Sequence, residues 1–295
     1  MRFILLTVLA LGCAPLHAQF FDLGRALDIG KKALDKSKQL ETANKEFSTE
    51  EEIALGEGIT SAFLGAAPLH SDQNLQRYVN RVGRWVALHA ERPDLPWTFG
   101  VIDTQTINAF ALPGGTVVVS LGLLKRLNNE SELAGVLAHE IAHVVKKHQI
   151  QAIQSAASTD FWTGIGQEVA SERIGRSGGG VLANTVKQKL LETGVDFVKS
   201  GAILRPLDRS MEYEADRMGI VIAARSGYDP FGLVAVLQML AQAKGDGDEA
   251  SIFATHPASG ERIAELEKFS PLVLERYASQ PQVEARFKQV VGAAK

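Results

Sequence analysis

The chain has 295 residues, of which 45% are hydrophobic and 22% are charged. This composition is typical of a globular protein, and the length is sufficient to bury one substantial core with appended segments. The formal net charge of −3 lacks the basic excess of nucleic-acid-binding proteins, so we expect no nucleic acid among the partners.

The N-terminus, residues 1–18, has the pattern of a secretory signal peptide. Arg2 supplies the positive end, Phe3 to Leu11 form a short apolar region, and Ala18 is a small residue before a cleavage site. The apolar region is too short to span a bilayer. Cys13 keeps a second interpretation open, because the residues around it partly resemble a bacterial lipobox, in which the cysteine carries a lipid anchor. We favour cleavage after Ala18, which would leave a mature chain without cysteine.

Helical patterns follow the signal peptide. Residues 19–47 have apolar side chains at helical intervals and predict an N-terminal amphipathic helical segment. Ser48 to Glu52 predict a capped helix start, and Leu75 to Ala90 predict a further helix. No later segment has 18 uninterrupted apolar residues, so we expect no membrane-spanning helix.

Three short strands are predicted next, at Trp97 to Ile102, Thr106 to Leu112 and Thr116 to Ser120. Asp103 to Gln105 and Pro113 to Gly115 supply the turns. We expect a small antiparallel sheet, whose edge would pair with an extended peptide with little sequence preference. The sequence leaves open which strand forms the edge, and a purely structural role for all three is the alternative.

The most informative motif is His139-Glu140-Ile141-Ala142-His143. On a helix, two residues that are four apart lie about 40° from each other, so both imidazoles can reach one tetrahedral Zn²⁺ ion. Glu140 is placed to take a proton from an attacking water and pass it to a leaving amine. Asn129 is the expected N-cap, with Glu132 as its reciprocal acceptor. The pattern predicts a metal-dependent peptidase.

A third ligand is expected downstream. Glu212 and Asp216 are four residues apart and share a helix face, so Glu212 can bind the metal while Asp216 behind it orients a histidine N–H. Glu214 is about 200° from Glu212 and is predicted to point to solvent. His148 would lie about 180° from His139 on a continuous helix, so we expect an ordinary helix-end histidine. Alone, the acidic cluster would more often be a solvated helix face.

These motifs belong to an ordered set that resembles the M48 family of zinc metallopeptidases, the CAAX prenyl protease and HtpX type. The similarity is strongest to the periplasmic BepA- and LoiP-like branch. The matching stretches, in chain order, are Tyr78 to Gly83, Trp97 to Ile102, Asn108 to Gly115, Glu132 to Ala138, Glu212 to Asp216, and Thr255 to Pro257 with Arg262. The resemblance extends over residues 48–270.

The resemblance implies a set of site residues. His139, His143 and Glu212 would hold one Zn²⁺ per chain, Glu140 would be the general base, and Asp216 would lie behind the ligands.

It further implies that Asn108, Ala109 and Phe110 line the substrate cleft and that His256 lies near the metal. Two functional roles for His256 stay open: donating to the oxyanion, or occupying the open metal position as a latch. An ordinary loop histidine is the structural alternative.

The expected protein is a predominantly α-helical α+β, zincin-like domain that acts as a zinc endopeptidase of the bacterial cell envelope. By resemblance, it would degrade misfolded or misassembled periplasmic proteins, with a peripheral association with the outer membrane as a further expectation. An envelope chaperone or assembly factor with a latched or structural zinc is the alternative. The expected divisions are a signal peptide (1–18), the N-terminal segment (19–47), the peptidase domain (48–270) with a helical insert or lid (151–205), and a C-terminal helical extension (271–295). No tetratricopeptide repeat of about 34 residues appears.

Overall fold

The computed structural model describes most of the chain between residues 46 and 293. The described ranges are 46–156, 205–242, 259–269 and 279–293, with residues 188, 191, 192, 194–196, 198, 199, 201, 203, 256 and 275–277. The predicted signal peptide, Cys13 and the N-terminal segment to residue 45 lie outside them, as does most of the predicted insert. Within the described ranges, no helix combines the length and the apolar character needed to cross a membrane.

Helices dominate the described residues, and this confirms the predicted α+β class. The helices are α1 (Thr49–Ala66), α2 (Gln73–Ala87), α3 (Leu121–Leu124), α4 (Glu130–Val145), α5 (His148–Ala156), α6 (Arg209–Arg225), α7 (Gly232–Gln242), α8 (Ser259–Lys268) and α9 (Glu284–Val291). The strands are β1 (Thr98–Ile102), β2 (Ala109–Leu112) and β3 (Thr116–Ser120). The predicted cap at the start of α1 is present, because Ser48 and Glu51 form a reciprocal capping box.

The three strands form one sheet in the order β1-β3-β2. Strands β2 and β3 are antiparallel, as predicted, but β1 runs parallel to β3, so the expectation of a wholly antiparallel sheet is wrong. Residues 103–108 do not form a hairpin between neighbouring strands. They pass the end of β3, where the Ser120 N–H donates to the Asn108 carbonyl at 2.9 Å, and β2 begins on the far side.

The free side of β1 is occupied by side chains of α2. The Gln76 side chain accepts from the Val101 N–H at 2.9 Å and donates to the Val101 carbonyl at 2.8 Å. The Asn80 side chain accepts from the Phe99 N–H at 3.0 Å. Strand β2 forms the other edge of the sheet, where the Asn108 side chain accepts from the Ala109 N–H at 2.9 Å.

Helix α4 lies at the centre of the fold, and every residue from Glu130 to Val144 is buried. Two glycines let its neighbours approach closely. A Cβ at Gly219 of α6 would lie 3.0 Å from the His139 backbone, and one at Gly135 would lie 2.6 Å from the Leu233 nitrogen of α7. These close contacts bring the polar face of α6 against the motif helix.

Helix α9 packs on the same core through Phe287 and Val291. A buried carboxylate fastens it there: Glu130 accepts from the hydroxyls of Tyr78 at 2.6 Å and Tyr228 at 2.7 Å, and from Arg286 Nε at 2.7 Å. The predicted C-terminal helix therefore forms part of the packed core.

Candidate metal centre

Helix α4 begins at the predicted cap, with one difference. The Asn129 side chain accepts from the Glu132 N–H at 2.9 Å, as expected. The Glu132 carboxylate, however, accepts from the Asn128 N–H at 2.7 Å rather than from the backbone of Asn129. Glu132 is therefore the acceptor as predicted, but its donor lies one residue earlier, and the helix starts where the capping signal placed it.

Helices α4 and α6 bring the three predicted ligand residues together. The Nε2 atoms of His139 and His143 are 3.0 Å apart, and each lies 3.5 Å from one oxygen of Glu212. Bonds of about 2.0–2.1 Å to a tetrahedral ion require donor–donor separations of about 3.3–3.4 Å. The three side chains are buried, and their donor atoms fit around one metal ion of this size.

The Asp216 carboxylate explains the orientation of His139. Its oxygen lies 2.9 Å from His139 Nδ1, and because a carboxylate only accepts, this contact assigns a proton to Nδ1 and a lone pair to Nε2. Burial and Arg262 act to lower the pKa of His139, but the Asp216 and Glu212 carboxylates outweigh them and raise it to about 9. The two carboxylates therefore favour positive charge at His139.

Arg262 of α8 supports Asp216 from behind, a role that the sequence analysis did not assign. Its guanidinium donates to the two Asp216 oxygens at 2.8 and 2.5 Å and lies 3.4 Å from Glu212. Burial acts to raise the pKa of Asp216, but the pairing with Arg262 outweighs it and holds that pKa below its usual range. The spacing of Arg262 after His256 was visible in the sequence, but its partner was not.

Glu140 and His256 lie on the remaining side of the ligand set. Burial raises the pKa of Glu140, which favours proton acceptance. His256 Nε2 is 3.8 Å from the Glu140 carboxylate, and its Nδ1 is 2.9 Å from both oxygens of Glu212. Donor atoms of His139, His143, Glu212 and His256 all lie within 4.8 Å of one another. The chain neighbours of His256, Thr255 and Pro257, fall outside the described residues.

His148 is not the ordinary helix-end histidine that we expected. Helix α4 stops at Val145, and Lys147 has a left-handed φ of 57°, so the assumed continuous helix is broken. His148 is consequently buried, with its Nδ1 2.9 Å from the Nδ1 of His143. Glu214 lies at the surface, as predicted for α6, but it also contacts Lys146 at 2.7 Å and His148 at 3.3 Å.

The three predicted cleft residues differ in their surroundings. Asn108 and Ala109 are buried, and Ala109 lines a cavity of about 30 Å³ that also touches Glu140 and His256. Phe110 is half-buried and packs on Phe63 of α1, with ring centroids 4.9 Å apart. Because side chains alternate along a strand, β2 presents Ala109 toward the centre and Phe110 away from it.

Two histidines and a glutamate on a helix, completed by a carboxylate from a second helix, define a metallopeptidase centre of the zincin type. The model described as Peptidase family M48 matches residues 73–270. The chain is 32% identical to the beta-barrel assembly-enhancing protease of Escherichia coli (strain K12) over 228 residues. This alignment covers 76% of this chain and 45% of that protein. The chain is also 33% identical to the mitochondrial metalloendopeptidase OMA1 of Schizosaccharomyces pombe over 195 residues. This alignment covers 66% of this chain and 52% of that protein.

The chain therefore belongs to peptidase family M48. It spans about half the length of the curated relatives it matches.

Proposed function

We propose that the protein is a zinc-dependent endopeptidase that degrades misfolded or misassembled proteins of the bacterial cell envelope. The observation that carries this proposal is the buried set of His139, His143 and Glu212, with Glu140 beside it. Two histidines, one glutamate and an open position are typical of catalytic rather than structural zinc. We assign one zinc ion to each chain, held by these three residues.

When bound, the ion supplies Lewis acidity that polarises a peptide carbonyl and acidifies water. Glu140 accepts the proton of the attacking water, and burial raises the pKa of its carboxyl, which favours this role. The same carboxyl then donates the proton to the leaving amine. Asp216 holds the His139 ring in the orientation that turns Nε2 toward the ion.

Strand β2 is the proposed docking edge for substrate. It lies at the edge of the sheet and beside α4, whereas the free side of β1 is satisfied by Gln76 and Asn80. An extended, unfolded chain would pair with β2 through its backbone, and side-chain sequence would matter little. This mode of binding suits an enzyme that removes misfolded proteins of many sequences.

His256 is proposed to act as a latch on the open metal position. Its imidazole contacts Glu212 at 2.9 Å and approaches Glu140 at 3.8 Å, and this proximity to the proposed ligand and the proposed base supports the latch role. Displacement of this side chain would open the centre. An exported peptidase benefits from such a restraint because indiscriminate cleavage in the envelope is harmful.

The name of one relative supports the envelope assignment, and the name of the other supports the endopeptidase activity. One is named for enhancing the assembly of β-barrels and another is a mitochondrial metalloendopeptidase. We infer export to the periplasm from the signal pattern of residues 1–18, with Cys13 as the alternative lipid anchor. Neither name favours the chaperone alternative, and we do not adopt it.

Purified protein with and without Glu140→Gln tests the proposal. The variant should retain zinc but hydrolyse unfolded casein at least about 100-fold more slowly, as expected for loss of a general base. Glu284→Gln is the matched control, since that exposed side chain pairs only with Lys288 of the same helix in the described structure. Equal turnover in wild type and Glu140→Gln, or wild-type protein without bound zinc, would contradict the proposal.

A further inference from the structure

Two polar side chains, those of His148 and Glu214, extend a chain of contacts from His143, and the mechanism above uses neither of them. His143 Nδ1 lies 2.9 Å from His148 Nδ1, and His148 Nε2 lies 3.3 Å from a Glu214 oxygen. The second Glu214 oxygen lies 2.7 Å from the Lys146 ammonium group. His148 follows the left-handed residue Lys147, which separates α4 from α5.

The direction of these hydrogen bonds follows from which groups can donate. An ionised carboxylate only accepts, so the Glu214 contact places the proton of His148 on Nε2. A neutral imidazole with a proton on Nε2 has a lone pair on Nδ1, so His148 accepts from His143. The His143 proton then lies on Nδ1, and its Nε2 lone pair faces Glu212, 3.5 Å away.

This arrangement parallels the support of the other histidine. His139 donates directly to Asp216, whereas His143 reaches a carboxylate through one intervening imidazole. Both carboxylates belong to α6, the helix that also carries Glu212. A histidine ligand that donates its second nitrogen to a fixed acceptor is held in one tautomer and one ring orientation, which strengthens metal binding.

We propose that His148 and Glu214 are positioning residues that hold the His143 imidazole with Nε2 directed at the metal. This inference rests on the proposed function, because it requires His143 to be a ligand. His148 supplies the acceptor, and Glu214 determines which His148 nitrogen plays that part. Lys146 neutralises Glu214 on its solvent side and has no contact with either imidazole among the described contacts.

The test measures zinc affinity by competition with a chromophoric chelator, and the absorption spectrum of the cobalt-substituted protein. His148→Leu preserves bulk but removes the acceptor, and should weaken zinc binding about 10–100-fold with an altered cobalt spectrum. His148→Asn restores an oxygen acceptor close to the Nδ1 position and should recover most of the affinity. Glu214→Ala should weaken binding in the same direction, and Glu214→Gln, which keeps an accepting oxygen, should lie between it and wild type.

Lys288→Met is the matched control, because that exposed lysine pairs with Glu284 of α9 and its loss should leave the affinity and the cobalt spectrum unchanged. Wild-type affinity in folded His148→Leu would overturn the proposal, as would equal losses in the Leu and Asn variants, which indicate packing alone. If His148→Leu does not fold, Glu214→Ala at its half-exposed position decides: unchanged affinity overturns the proposal. Failure of the proposed metal site looks different, because His143→Ala would then keep full zinc affinity.

Discussion

Replacing Arg262 with methionine tests whether the metal centre depends on charge balance behind its ligands. The guanidinium is buried and donates two hydrogen bonds to Asp216, at 2.8 and 2.5 Å. Removing it leaves the buried Asp216 charge without its main partner. Breaking a buried ion pair in this way costs about 3–5 kcal/mol.

The lower end of that range, about 3 kcal/mol, is the better expectation here. The reason is that His139 Nδ1, 2.9 Å from Asp216, still donates a hydrogen bond to that carboxylate after Arg262 is replaced. For a domain of this size, each kcal/mol shifts the melting temperature by about 2–4 °C, so the expected loss is about 6–12 °C. The measurement is thermal and urea unfolding of metal-free protein, so that metal binding does not add to the stability.

Two further variants isolate the pair. Arg209→Met removes an exposed ion pair with Glu261 and should cost less than about 1 kcal/mol. The double variant Asp216→Asn/Arg262→Met should lose far less free energy of unfolding than the sum of the two single variants. The reason is that the double variant contains no unpaired carboxylate charge at position 216. An Arg262→Met protein as stable as wild type, or strictly additive losses, would refute the reasoning.

Three other predictions address the metal, the latch and the core. Glu212→Gln should lower zinc occupancy, measured by metal analysis, far more than Glu214→Gln, and the opposite ranking would show that the wrong glutamate was assigned as ligand. His256→Ala should raise basal casein hydrolysis if the side chain is a latch, whereas a large loss with zinc retained would favour an oxyanion donor. Burial acts to raise the pKa of Glu130, but Arg286 and the two tyrosines outweigh it and lower that pKa. The ionised Glu130 side chain therefore contributes its full stabilisation above its usual pKa of about 4.5, and this stabilisation declines as the pH falls below that value. The difference in free energy of unfolding between wild type and Glu130→Gln, measured by urea titration, should narrow as the pH falls.

The parts of the site that the sequence predicted well are those set by one helix at a time. His139 and His143 face one point because they are four apart on an unbroken helix, and Glu212 shares a face with Asp216 for the same reason. The capping signal at Asn129 placed the start of α4 correctly. The sheet was predicted less well, because strand direction depends on the path of residues 103–108 and not on alternation within a strand.

The position of His148, and therefore its contact with Glu214, could not be predicted in the same way, and the reason is physical. Helical projection assumes a constant rotation per residue, but Lys147 adopts a left-handed conformation and the chain restarts as α5 at His148. A positive φ is uncommon for lysine, and no glycine or asparagine stands at this position to indicate a break in the helix. Two contacts offset the free-energy cost of this conformation. The Lys147 ammonium group donates to the Phe47 carbonyl at 2.9 Å, and the His148 ring is buried against His143. Because tertiary contacts offset the free-energy cost of the left-handed residue, the sequence around Lys147 gives no indication of the break. A break of this kind, immediately after the helix that carries His139 and His143, is therefore a reason to look for a function in the first residue beyond it, and here that residue is His148.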